Sequence, residues 1–306
     1  MRIHSFLMLG TALVLVAACG ESSIRQKSYS SAEEAAQALI SAVRDGKMRG
    51  MLEVLGVEAK PVVDSGDSVQ DANGRAAFLQ AYDAENSLLQ EAEGRVVLQV
   101  GADSWPFPFP IVAEEGRWRF DSSEGVEEVV NRRVGDNELR TIQACLAFVD
   151  AEREYYARNP ENDPLLHYAR KLLSSEGKRD GLYFEVNPGE PESPLGIGFA
   201  NARDEGYFAE GAPRPEPFHG YVYRVLTAQG ADAVGGAFDY LAGGKMIGGF
   251  ALIAYPADYG NSGVMAFIIN HDGIVFSKDL GAETAKVAGA ITEFNPDSSW
   301  TREASI

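Results

Sequence analysis

Cysteine is nearly absent from this chain: Cys19 and Cys145 are the only two in 306 residues. Cys19 ends an apolar leader, so Cys145 is the one free thiol expected in the mature chain. That rules out an intramolecular disulfide and a structural zinc site made of several cysteines. Histidine is scarce too, with four in all. Beyond the leader His167, His219 and His271 fall in a helix, a loop and a hairpin turn, and no two share a metal-ligand spacing. No metal and no cofactor is therefore expected. Basic residues are outnumbered 27 to 45, for a net charge of −18. Such a surface repels phosphate backbones, which excludes nucleic acid as a partner. Long apolar runs are missing outside Phe6–Val16, and that stretch is too short for a typical spanning helix.

Complete catalytic motifs are missing as well. Gly243-Gly244-Lys245 is followed by Met246 rather than the Ser or Thr of a phosphate loop. Ser175 and Lys178 have the Ser-x-x-Lys spacing in which lysine activates a serine. Gly177 lies between them, and neither Ser-Asp-Asn nor Lys-Thr-Gly follows. Cys145 sits in an apolar helical pattern and reads as a buried small hydrophobe, not a nucleophile.

What is present begins with an export signal. Arg2 gives a positive start, Phe6–Val16 is the apolar region, and Val16-Ala17-Ala18-Cys19 places small residues before a cysteine. This resembles a bacterial lipoprotein signal, which implies removal of residues 1–18, a lipid on the Cys19 sulfur and anchoring to a membrane. Gly20 after the cysteine implies the outer membrane, facing the periplasm, in a Gram-negative host. Residues 19–27 are polar and read as a tether.

The chain length suggests two domains, placed at 28–130 and 136–306. In the first, Ser31-Ala32-Glu33-Glu34 is a capping box opening a helix with Ala35, Ala38, Leu39, Ala42 and Val43 on one face. A short helix over Met48–Leu55 stops at Gly56. A third, from about Asn73, carries Phe78, Leu79, Tyr82 and Leu89. Strands begin at Arg95. Trp105-Pro106-Phe107-Pro108-Phe109-Pro110 is expected as an extended edge, because proline cannot serve a central strand. Gly116–Asp121 alternates as a closing strand with Trp118 and Phe120 on one side. Glu127, Glu128, Arg132 and Arg133 read as ion pairs on a solvated helical face linking the halves.

In the second domain, a long helix over Asn137–Arg158 has Leu139, Ile142, Leu146, Val149 and Tyr156 as its apolar stripe. Asn159-Pro160-Glu161-Asn162-Asp163 is oxygen-rich but lacks the alternating acidic loop of an EF-hand, so a capping loop is expected. Leu165–Leu173 reads as a short helix, and Pro194 opens a doubtful one. Ala212–Pro217 is a proline-rich loop. Gly220–Leu226, Phe250–Tyr255, Gly263–Asn270 and Ile274–Phe276 are strands of one sheet, with a hairpin at Asp272-Gly273. A helix over Ala282–Ile291 follows. The fold class is α+β throughout: helices plus a curved antiparallel sheet, similar to cystatin-like or nuclear-transport-factor-like folds, then a long helix on an antiparallel meander.

The Trp105–Pro110 run, Gly116–Asp121, Arg132-Arg133 with Asn137-Glu138-Leu139, Lys178–Tyr183, Ser193–Gly196 and Gly235–Leu280 together resemble an uncharacterised bacterial family, domain of unknown function 2950. The resemblance implies no reaction and no site. The C-terminal half also resembles the globular part of type IV pilins and pseudopilins, through its long helix, His219-Gly220-Tyr221, Ala254-Tyr255-Pro256 and Asn270–Gly273. It departs from them in lacking an apolar fibre-forming helix and a prepilin cleavage site.

The leading expectation is a non-catalytic envelope lipoprotein acting as an interaction or assembly module on an envelope protein partner. One alternative is a periplasmic hydrolase using Ser175, Lys178 or Asp180. The other is a small-ligand binder whose N-terminal domain lines a pocket with Trp105, Phe107 and Trp118.

Overall fold

A computed structural model describes residues 24–205, Tyr207 and 217–304. Cys19, the leader and most of the Ala212–Pro217 loop lie outside the described residues. The fold is α+β.

The chain opens with α1 (Ala32–Asp45), α2 (Met48–Leu55), α3 (Lys60–Val63) and α4 (Ser68–Ala84). The capping box at α1 forms with one change of partner. Ser31 Oγ accepts from Glu34 N, while Glu34 reaches back to Ser30 N at 2.8 Å. Gly46, at φ 67°, closes the helix in the left-handed conformation. Five strands follow: β1 (Asn86–Ala92), β2 (Arg95–Val100), β3 (Trp105–Pro106), β4 (Ile111–Glu114) and β5 (Arg117–Phe120). They form an antiparallel sheet in the order β1-β2-β4-β5, with β3 also on β2.

Helix α4 starts at Asp67, whose carboxylate caps Val69 N and Gln70 N, six residues before the expected Asn73. It ends at Ala84, and Leu89 belongs to β1 rather than to the helix. Strand β1 is exposed along nearly its whole length. It has no alternating pattern to read, and exists because it covers the edge of β2 through a tight turn at Glu93-Gly94. The expected tether is partly docked. Gln26 Nε2 donates to Val54 O, Leu55 O and Phe120 O, and Lys27 N donates to Glu53 O.

Helix α5 runs unbroken from Val126 to Arg158, 33 residues. Its first three turns occupy the stretch expected to be a link. Val126 there packs against the N-terminal core, and Arg133 hydrogen-bonds Pro61 O and Val62 O. Then come α6 (Gly196–Asp204), β6 (Tyr221–Leu226), and the short strands β7 (Ala228–Gln229), β8 (Phe238–Asp239), β9 (Leu241–Ala242) and β10 (Lys245–Met246). The chain closes with β11 (Ala251–Pro256), β12 (Met265–Asn270), β13 (Phe276–Asp279), α7 (Thr284–Ala290) and β14 (Thr301–Arg302). Gly243 and Gly244, both at positive φ, form the two-residue turn between β9 and β10.

The main sheet has the antiparallel order β14-β13-β12-β11-β6. Tyr223 Oη meets Thr141 on α5, while the next residue, Arg224, donates to Ala288 O and Ile291 O at α7. Adjacent strand residues point to opposite faces, so α5 and α7 sandwich the sheet. This explains why β11 and β12 are almost continuously buried and apolar. The expected helix at Leu165–Leu173 does not form. Its backbone is taken by distant partners: Tyr168 N donates to Met246 O, and Tyr183 N to Leu172 O. Buried apolar side chains gather in two clusters, one from Tyr29 to Phe120 and one from Ile142 to Phe294.

Candidate functional site

Between α4 and the first sheet lies a cavity of about 500 Å³. Its origin is in the sequence of α4. The face turned to the sheet carries Gly74, Ala77 and Ala81 beside Phe78, and none of the helix's 17 residues is buried. A Cβ placed on Gly74 meets no atom within 4 Å. Small residues where a core helix carries large ones leave a void that the surroundings do not collapse to fill. The opposite wall is apolar: Leu39 and Val43 of α1, Met51 and Leu55 of α2, Val100 of β2, and Phe107 and Phe109 of the loop between β3 and β4. Phe107 anchors it, with ring centroids 5.3 Å from Phe78 and 5.3 Å from Phe109.

One end is polar. Gln70, Asp71 and Arg133 line it. Gln70 Nε2 donates to Asn137 Oδ1 at 2.7 Å, and Asn137 Nδ2 donates to Ser262 O at 2.9 Å. A carbonyl only accepts, so this chain fixes both amide orientations. It leaves Gln70 Oε1 buried with no hydrogen-bond partner. Such an acceptor is costly unless something donates to it. Arg133 donates to Pro61 O, Val62 O and Asn261 Oδ1. Burial lowers its pKa against the pull of Asp71, Asp258 and Asp64. Burial raises that of Asp71, whose carboxylate accepts from Ser65 N. Arg133 is thus a half-buried brace, not a solvated ion-pair partner as its sequence context suggested.

The same end is the seam between the halves. Asp67, only 1% exposed, accepts from Tyr207 Oη and Gly220 N at 2.9 Å each while capping α4. Gly220 sits at φ 75°, and a Cβ there would stand 2.6 Å from Asn137 Nδ2, so glycine is required.

Of the three aromatic residues expected to line a pocket, Trp105 and Phe107 do so. Trp118 does not. Its backbone pairs with Tyr29 in both directions, on the edge of β5 away from the cavity. Gly74, Ala77, Gln70 and Arg133 were missed. A row of small residues at i, i+3 and i+7 inside an amphipathic helix was the signal that pointed to them.

Ser175 meets a lysine, but Lys171 rather than Lys178. Lys171 Nζ stands 2.6 Å from Ser175 Oγ and 2.8 Å from Asp180 Oδ2. Ser175 Oγ donates to Asp180 Oδ2, and Asp180 Oδ1 accepts from Ser175 N. Burial raises the Asp180 pKa, but the hydrogen bonds from Lys171 and Ser175 outweigh it and hold the carboxyl down to about 2. Asp180 is ionised, so Lys171 is held as its ammonium partner and has no lone pair to take the serine proton. The trio is a structural brace for the 171–183 turn. Cys145 is fully buried, and burial pushes its thiol up to about 12, which makes it unreactive.

His219 packs on Tyr207, and His271 on Tyr240 and Phe250. His167 is placed differently, beside Glu161 and Asp163 from the loop after α5. Among the described residues, donor atoms of these three lie within 4.8 Å of one another. No described helix is long and apolar enough to cross a membrane.

These features define a class: a two-core α+β chain with an apolar cavity under a helix in its first half. The chain belongs to the family described as protein of unknown function (DUF2950), which matches residues 26–302. No curated protein and no solved structure matches it.

Proposed function

We propose that this chain is a non-catalytic envelope lipoprotein whose N-terminal half binds a small, mostly apolar molecule carrying a hydrogen-bond donor. The cavity under α4 carries the reading. Its volume falls in the range of small-molecule sites, roughly 300–1,000 Å³. Its walls are apolar, and at its polar end Gln70 Oε1 is buried as an acceptor without a partner, which a small turn of the side chain would bring to a ligand. A hydroxyl or amine at the end of an alkyl chain or ring fits that pattern. Lipid anchoring at Cys19, to the outer membrane facing the periplasm, is part of the same proposal and rests on the leader sequence. It would place the cavity where apolar molecules are handled.

The test is titration of the purified chain with a long-chain fluorescent alcohol, read also through Trp105 at the cavity wall. Saturable binding with one molecule per chain is expected, lost in Gly74→Leu and kept in Trp118→Phe. Binding that ignores Gly74→Leu, or no binding at all, overturns the reading. For the anchor, Cys19→Ser should release the chain from the membrane fraction.

A further inference from the structure

We propose that Glu161, Asp163 and His167 form a binding site for a divalent transition-metal ion such as zinc, separate from the apolar cavity. Three observations meet there. The first is the ligand set: an imidazole nitrogen and two carboxylates are donors that borderline ions take readily.

The second is the orientation of the histidine. His167 Nδ1 lies 3.1 Å from Tyr168 O, and a carbonyl can only accept, so Nδ1 carries the hydrogen. The Nε2 atom therefore turns to Glu161 Oε2 at 3.3 Å and Asp163 Oδ2 at 4.0 Å. Nε2 and the two carboxylate oxygens thus converge on one place that a single cation can share. An Nδ1–H held by a backbone carbonyl is also the support that metal-bound histidines commonly have. Zinc ligands stand about 2.0–2.2 Å from the ion, so donor atoms around one ion lie roughly 3–4 Å apart. The distances here need only a small inward movement of the Asp163 carboxylate.

The third is access. His167 and Glu161 line a recess of about 390 Å³, which gives the ion, water or a small ligand a way in from that side.

Arg170, Lys171 and Lys245 all line this recess, and Lys245 opposes the ion most directly. Lys245, next to the glycine turn of β9 and β10, places its ammonium on Asp163 Oδ2. Its charge fills the place that a cation would take, and the metal must displace it. This gives the proposal a signature that a plain ion-pair network lacks. In such a network, Lys245→Met removes a favourable partner and attracts nothing. At a metal site, it removes a competitor.

The experiment is calorimetric titration of the purified full chain with zinc chloride, with calcium chloride in parallel. Cobalt absorption serves as a check on nitrogen ligation. One zinc per chain is expected. Affinity should fall at least tenfold in His167→Gln and in Glu161→Gln, and rise about tenfold in Lys245→Met. Glu161 is exposed, so its variant tests the site even if the His167 variant fails to fold. Calcium should give no saturable heat. Zinc binding that is absent, unchanged in Glu161→Gln, or weakened in Lys245→Met overturns the proposal.

Discussion

The two halves of this chain set helices against antiparallel sheet and reach opposite results. In the C-terminal half, α5 and α7 close on both faces of β11 and β12, and Phe250, Ile253 and Ile269 are fully buried. Phe250 alone meets Phe148 at 5.6 Å and Tyr168 at 4.8 Å. In the N-terminal half, α4 lies on the sheet and buries none of its residues. The difference is side-chain volume on one helical face. Phe148 and Tyr155 at the facing positions of α5 give a packed core, while glycine and alanine on α4 give a cavity. The lesson is that a packed half can hold an open one in place. It does so here through the seam of Asp67, Asn137 and Arg133.

The comparison can be broken most directly by truncation. Phe250→Ala should destabilise by about 3–5 kcal/mol, the range for a large buried aromatic residue. Phe78→Ala, on the open helix, should cost less than about 1 kcal/mol. Urea unfolding measures both, and similar values would mean that the halves are packed alike. Asp67→Ala tests the seam. It removes a helix cap and the acceptor shared by the Tyr207 hydroxyl and the Gly220 N–H, an expected loss of about 2–4 kcal/mol. It should also separate the unfolding of the halves into two transitions, where the parent shows closer coupling.

Glu152 sharpens the picture of the packed half. It is fully buried on α5, with Oε2 accepting from Ala169 N and Oε1 without a partner. Burial raises its pKa well above the ordinary 4.5. Above pH 4.5 the unfolded chain therefore loses a proton that the folded chain keeps, and stability falls as pH rises. Glu152→Gln should raise the melting temperature at pH 8 and change it little near pH 4.5. Equal gains at both pH values would contradict a neutral buried carboxyl.

Filling the open half is a smaller effect. Gly74→Ala should stabilise by about 1 kcal/mol through helix propensity alone. Gly74→Leu should add burial while closing the cavity to ligand. A destabilised leucine variant would show the space to be less open than its walls indicate. The smallest contrast is between two lysines. Lys178→Ala should stay within about 0.5 kcal/mol of the parent. Lys171→Met should weaken the hold on Asp180. In the parent, that hold gives stability present above the ordinary carboxylate value of 3.8 and lost as pH falls toward about 2. Acid melts should show this loss flattened in Lys171→Met and unchanged in Lys178→Ala.

Much of the fold was legible where one periodicity dominated. The Met48–Leu55 helix, the apolar face of α1, the hairpin at Asp272-Gly273 and the strand at Tyr221–Leu226 lie within a residue or two of their expected places, because their local patterns agree with their tertiary surroundings. Strand β1 was not legible, because it is an exposed edge with no alternating pattern. The first turns of α5 read as a separate helical link, because Gly135-Asp136-Asn137 has the chemistry of a helix boundary that the fold runs straight through. The helix expected at Leu165–Leu173 failed because partners far along the chain claimed its backbone.

The sequence by itself determined the α+β class, the family, the three central strands β6, β11 and β12 of the main sheet and two of the residues lining the cavity, Trp105 and Phe107. These follow from local chemistry: turn residues, periodicity and proline's missing donor. Only the tertiary structure decided that Ser175 meets Lys171, that Arg133 is a half-buried brace, that Glu161, Asp163 and His167 converge, and that Gln70 keeps an unanswered acceptor beside an empty space. Each of these depends on which residues distant in sequence come within a few ångströms, and the spacing of residues along the chain carries no record of that.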